Sequence, residues 1–190
     1  SWSAPEPSTI NRWGCAMTSA TMVLKYHGIT KLPDGTTLDP GILNTLLKNQ
    51  DDGYVGTGWI NWLAISRLSK LAKTINNITS FDALEYRRGS PDDKTQLTND
   101  LDAGKPDILE VPGHFIVAKG VNGTTFDIND PFYDRVKLND GYGDSFLSMG
   151  RYIPSNTNLS YLMLTLNPDV DVVASASGKR AGSNGTTTFT

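Results

Sequence analysis

Cys15 is the sole cysteine of this 190-residue chain, and His27 and His114 are its only histidines. Thiol chemistry here has one candidate nucleophile and two candidate bases. Cys15 follows the irregular run Asn11-Arg12-Trp13-Gly14 and opens a helical pattern, with Ala16, Ala20 and Val23 on one face and Met17 and Leu24 beside them. A cysteine in the first turn of a helix faces the positive end of the helix dipole and unpaired backbone N–H groups. These lower a thiol pKa and can hold an oxyanion. The competing reading is a buried cysteine acting as a small apolar residue.

The two histidines differ in setting. His27 ends the first helix just before Gly28, which reads as a helix-end imidazole with glycine in the left-handed position. His114 follows Pro112-Gly113 and opens the apolar run Phe115-Ile116-Val117-Ala118, so it reads as the first residue of a buried strand and as the general base.

That strand leads into Asn122-Gly123, a favoured hairpin turn pair, and then into Thr124 to Asn129, where Phe126 and Ile128 alternate with polar residues. With Asn122 and Gly123 as the turn, Phe115 opposes Asp130 and His114 opposes Pro131. The pair Asn129-Asp130 then meets His114 at the open end of the hairpin, where either side chain can fix the imidazole tautomer. In the tight register Asn129 shares the His114 face; a one-residue bulge or an odd loop puts Asp130 there instead. The alternative is that Asn129-Asp130-Pro131 only ends a strand.

Gly14-Cys15, Gly113-His114-Phe115-Ile116-Val117 and Asn129-Asp130-Pro131, the Asp lying sixteen residues after the histidine, resemble the bacteriocin-processing, double-glycine branch of the papain-like cysteine peptidases and its secreted stand-alone relatives. Connecting segments such as Asp39-Pro40-Gly41-Ile42-Leu43-Asn44, Asp52-Gly53-Tyr54-Val55 and Gly104-Lys105-Pro106 extend the likeness over most of residues 8 to 166. The resemblance implies Cys15 as nucleophile, His114 as base and Asp130 as orienter, with Asn129 the alternative orienter. It also implies a bacterial protein, secreted or at the cell surface, acting on peptides. The family has a glutamine six residues before the cysteine, whose amide completes the oxyanion hole, and this chain has Thr9 there. Asn11 is the nearest side-chain amide and the candidate replacement. Loss of one such donor costs about 100- to 1000-fold in rate.

Composition narrows the alternatives. A net charge of −3 and the lack of a basic run argue against nucleic-acid binding. No stretch approaches the roughly 20 apolar residues of a membrane span. Asp51-Asp52-Gly53 and Asn139-Asp140-Gly141 read as turns rather than calcium loops, and one Cys with two distant His gives a zinc site little support, so the chemistry reads as free of metal and cofactor.

The elements that must position these residues run from helices to strands. Helices are expected from Cys15 to His27, from the Asp39-Pro40 start through Leu43, Leu46 and Leu47, from Trp59 to Ala72, and after Ser90-Pro91-Asp92-Asp93 as far as Gly104. Strands are expected at Asp107 to Val111, in the hairpin, and at Arg135 to Leu138, Phe146 to Tyr152 and Tyr161 to Leu166. This is an α+β layout, and the resemblance makes it a papain-like fold with a helical half packed on an antiparallel sheet. Residues 1–167 form the expected peptidase domain. Residues 168–190, Ser/Gly/Thr-rich apart from a Val170-Val172-Val173 strand signal, read as a linker or the truncated start of a following β-domain, so the chain is expected to be part of a larger protein.

The leading expectation is a cysteine-dependent hydrolase that cleaves peptide bonds through a thioester, with Trp13, Trp59 and Tyr133 as aromatics that could shape substrate pockets. A peptide-binding module without turnover, motivated by Thr9, and a transpeptidase or deamidase using the same three residues are the alternatives.

Overall fold

The structure, a computed structural model, describes residues 14–55, 58–157, 172–176, 179–183 and 188–189. The chain divides into two compact units, Ser1–Ser160 and Tyr161–Thr190. The first unit is α+β and has, among its described residues, four helices: α1 (Cys15–Tyr26), α2 (Pro40–Lys48), α3 (Trp62–Ala72) and α4 (Lys94–Asp102). A short hairpin, β1 (Tyr54–Val55) and β2 (Trp59–Ile60), precedes α3. The strands β3 (Ala83–Gly89), β4 (Asp107–Val111), β5 (His114–Asn122), β6 (Thr125–Asn129) and β7 (Ser148–Ser155) form an antiparallel sheet in the order β3-β7-β4-β5-β6. In the second unit, β8 (Val172–Ala176), β9 (Lys179–Ser183) and β10 (Thr188–Phe189) form a separate three-stranded sheet.

Helix starts follow their capping residues. Asp39 caps α2 by accepting the Ile42 N–H at 2.8 Å, with Pro40 in the first turn. The third helix begins later than expected. Asn61 caps it through the Leu63 N–H at 3.0 Å, which leaves Trp59 in β2. Asp93, the last residue of the Ser90-Pro91-Asp92-Asp93 run, caps α4 through the Gln96 N–H at 3.0 Å.

The main sheet is buried on both faces, so it is not covered by helices on one side alone. Ile108, Val117, Leu84 and Tyr152 point into a core shared with Ala20, Val23 and Leu24 of α1, Leu43 and Leu47 of α2 and Ile65 and Leu68 of α3. Leu109, Val111, Ile116, Ala118 and Met149 point the other way, onto Leu97 of α4 with Leu138 and Phe146. A sheet covered on both faces carries near-continuous apolar runs, as β4 does.

The strands differ from expectation at four points. Arg135–Leu138 is reduced to one bridge, Asp127 with Lys137. The last strand of the sheet starts at Ser148 rather than Phe146, because Asp92 holds Phe146 out of the ladder: its Oδ1 accepts the Phe146 N–H at 2.7 Å, and its own N–H donates to the Phe146 carbonyl at 3.1 Å. Edge strand β3 was not expected, since its outer half is Arg87, Arg88 and Gly89 with Glu85 paired to Arg87 at 2.6 Å; such charges blunt a free edge. The fourth concerns the turn between β5 and β6. The expected strand Tyr161 to Leu166 lies outside the described residues.

That turn is made by Gly123-Thr124, closed by Asn122 opposite Thr125. Gly123 has φ +62 and Thr124 is not left-handed, the pattern of a type II′ turn with glycine first. Further along, the ladder shifts by one residue between Ala118 and Gly120, so that Lys119 is a bulge.

Candidate active site

Cys15 is the first residue of α1, and among the described residues no side chain caps that helix; Gly14 supplies the carbonyl for its first hydrogen bond, from Thr18 N–H at 2.8 Å. The helix crosses the start of β5, where Ser19 Oγ donates to the Phe115 carbonyl at 3.3 Å. The backbone N–H groups of Phe115 and Ala16 and the imidazole of His114 face the Cys15 sulfur and favour its thiolate. Burial pushes the thiol pKa up, but these groups and the nearby imidazolium charge outweigh it and hold Cys15 below an ordinary thiol.

His114 is placed by a tight connection. Val111 opposes it in the β4–β5 ladder, so Pro112 and Gly113 alone make the turn, with Gly113 at φ +69. Its Nε2 lies 2.7 Å from Asp130 Oδ1, which leaves Nδ1 for the thiol. Burial disfavours the imidazolium, but Cys15 and Asp130 prevail and raise its pKa.

The Lys119 bulge decides which residue meets His114. Beyond it, Ala118 opposes Ile128 and Val117 opposes Asn129. Asp130 therefore shares the face of His114 and Ile116, and Asn129 the opposite one. Asn129 Oδ1 accepts from Lys119 Nζ at 2.7 Å. The expected pairing of Phe115 with Asp130, and of His114 with Pro131, is thereby corrected.

Asp130 is fully enclosed, its side chain 0% exposed. Oδ1 accepts the backbone N–H groups of Phe132 and Tyr133, each at 2.9 Å, besides facing His114. Oδ2 accepts the hydroxyl of Tyr142. Burial raises the carboxyl pKa, yet these donors more than compensate and hold Asp130 below the usual carboxylate range.

Tyr142 has a second contact, its ring stacking near His114 with centroids 6.4 Å apart. The Arg135 guanidinium lies 4.4 Å from the Tyr133 ring centroid and 4.6 Å from that of Tyr142. Gly141 makes room, because a Cβ there would come 2.8 Å from the guanidinium carbon. Burial and the Asp130 charge push the Tyr142 phenol up to about 12, so it stays a donor. Sequence reasoning missed Tyr142 and Arg135. Their one signal was the turn run Asn139-Asp140-Gly141, which gives a turn but no direction for the tyrosine after it.

Cys15, His114 and Asp130 are brought together, with the imidazole between the thiol and the carboxylate. His27 is not part of it. It caps the end of α1, its ring edge-on to Tyr26 and Phe81, and burial with the Lys105 charge lowers its pKa to about 4. Tyr133 stands edge-on to His114 at 5.5 Å. Trp59 is half exposed. Asn11, Thr9 and Trp13 lie outside the described residues. Among the described residues, no three His, Cys, Asp or Glu side chains converge as metal ligands, and no helix is long and apolar enough to cross a membrane. Asp52 receives Arg67, and Asp140 accepts the Lys137 N–H at 2.8 Å.

An acidic thiol beside a basic imidazole, itself held by an ionised carboxylate, can pass one proton from sulfur to nitrogen and attack an electrophilic carbon. The family described as the Peptidase_C39-like family matches residues 4–153. Among solved structures, one assigned to the C39-like peptidases from Bacillus anthracis is 19% identical, with a TM-score of 0.45 over 76% of this chain and 90% of that one. No curated protein matches the sequence.

Proposed function

The chain belongs to the Peptidase_C39-like family, a family of cysteine-peptidase-type hydrolases, and from that premise we propose that it cleaves peptide bonds with Cys15 as nucleophile, His114 as general base and acid, and Asp130 as the group that orients His114. What supports this reading is the His114 imidazole set between the Cys15 thiol and a carboxylate whose two oxygens are both hydrogen-bonded.

In this mechanism the Cys15 proton passes to His114 Nδ1 while Nε2–H stays on Asp130 Oδ1. The thiolate adds to the scissile carbonyl, and the backbone N–H of Cys15 at the helix start faces the oxyanion, with Asn11 the candidate second donor. The imidazolium then protonates the leaving amine as the C–N bond breaks, which leaves a thioester. Water, deprotonated by His114, attacks the thioester and releases the acid and the thiol.

Thr9, in place of the family's glutamine, favours a second reading in which the site binds peptide and turns over slowly or not at all. A peptide acyloxymethyl ketone separates the two. Covalent labelling of wild type but not of Cys15→Ala supports the hydrolase. Reversible binding with no adduct on long incubation supports the binding module.

A further inference from the structure

Next to His114, on the sheet face that packs against α1, α2 and α3, four strands end around a pocket of about 130 Å³. Phe115 links it to the candidate site: its backbone N–H faces the Cys15 sulfur, while its ring forms part of the pocket wall. Trp62, Tyr86 and the half-exposed Trp59 supply the rest of the aromatic surface. Trp62 lies 5.5 Å from the Phe115 ring and stacks with Tyr86 at 6.2 Å. The floor is open at Gly150, where a Cβ would come 3.2 Å from the Tyr86 ring and 3.7 Å from Ile108 Cβ.

One charge is fixed in this pocket and one is loose. Glu110 opposes both Phe115 and Ser148 in the ladder, and its Oε2 accepts the Ser148 hydroxyl at 2.5 Å. Its side chain is 31% exposed, against 71% for Arg88, whose guanidinium stands 3.7 Å from Oε2. An ion pair so long and so exposed contributes little, so Arg88 can swing into solvent at small cost. What remains is a half-buried carboxylate among π faces, a setting that attracts a cation on a long apolar stem.

We propose that this pocket is a specificity subsite for a basic residue of the peptide substrate, a lysine or arginine whose stem lies against Trp62, Tyr86 and Phe115 and whose cation replaces Arg88 on Glu110. The substrate class, a peptide, rests on the function proposed above; the preference for a cation rests on the pocket itself.

The test uses fluorescein-labelled hexa-alanine peptides in which lysine, or norleucine of the same length without the amine, replaces one alanine at each position in turn. Anisotropy titration of Cys15→Ala measures binding without chemistry. At one position lysine should bind roughly 3- to 30-fold tighter than norleucine. Glu110→Gln should bring that ratio close to one, and Arg88→Ala, by removing the competing cation, should raise it. Equal affinities at every position, or a lysine preference that Glu110→Gln leaves intact, would overturn the subsite. Iodoacetamide alkylation of wild-type Cys15 reports on the nucleophile separately, so an inert thiol with a retained lysine preference would count against the hydrolase alone.

Discussion

His114 Nε2 stands 2.7 Å from Asp130 Oδ1 because a single residue, Lys119, is extra in the strand between them. The bulge returns Asp130 to the His114 face at the strand end, and the turn after Asp130 supplies two N–H groups to the same oxygen. The orientation of the imidazole therefore depends on main-chain register as well as on a side-chain contact.

Asp130→Ala should slow iodoacetamide alkylation of Cys15 at pH 6 by about 10- to 100-fold, the usual scale of a hydrogen bond to a charged group. Asn129→Ala should change it by less than about 2-fold, since the exposed Asn129 bonds Lys119 and faces away from His114. The opposite ranking would return the orienting role to Asn129.

Tyr142→Phe keeps the ring beside His114 and removes the donor to Asp130 Oδ2. The carboxyl should then move back toward its ordinary pKa. We expect alkylation to slow by about 10-fold, less than for Asp130→Ala, with its acid limb shifted to higher pH. A rate and pH profile identical to wild type would remove Tyr142 from the chain of bonds.

The pH dependence follows from two opposed shifts. Cys15 titrates below the ordinary thiol and His114 above the ordinary imidazole, which widens the window of the thiolate–imidazolium pair. At pH 6, Cys15 should alkylate on the order of 10- to 100-fold faster than a free thiol. His114→Ala removes the imidazole that lowers the thiol and leaves the burial that raises it, so its rate at pH 6 should fall sharply. Above the His114 pKa, alkylation should stay high while peptide turnover falls, because the leaving amine needs the imidazolium proton. Parallel decline of both would contradict this division of roles.

Asp107 makes a prediction about stability. It is buried on β4 beside Asp100, which Arg151 Nε holds at 2.5 Å, and burial with the Asp100 charge pushes its pKa from 3.8 up to about 8. The folded value exceeds the unfolded one. Its contribution to stability is thus full below about pH 4 and is lost as pH rises through about 8. Asp107→Asn can still donate to Asp100 without ionising. Its Tm should exceed that of wild type at pH 8.5 by about 2–4 °C or more, with the gap closing at pH 5; thermal melts at the two pH values check this, and an equal gap at both would contradict it.

Much of this arrangement was legible in sequence where the physics is local. Cys15 at a helix start, His114 after Pro112-Gly113 and the Asp39 cap each follow from neighbours within a few residues. The Lys119 bulge was not legible, because register depends on which backbone groups pair across strands. It entered only as one of two alternatives at Asn129 and Asp130. Tyr142 and Arg135 were missed because their placement depends on a loop whose direction is set by tertiary contacts. Edge strand β3 was missed because Arg87 and Arg88 interrupt its apolar pattern.

Mass spectrometry of the folded protein after reaction with a peptide acyloxymethyl ketone tests the central claim most directly. One adduct should form, located on Cys15, absent from Cys15→Ala and at least about 10-fold slower in His114→Ala. A Cys15 that reacts only after denaturation would make it a residue of the core and leave the hydrolase without its nucleophile.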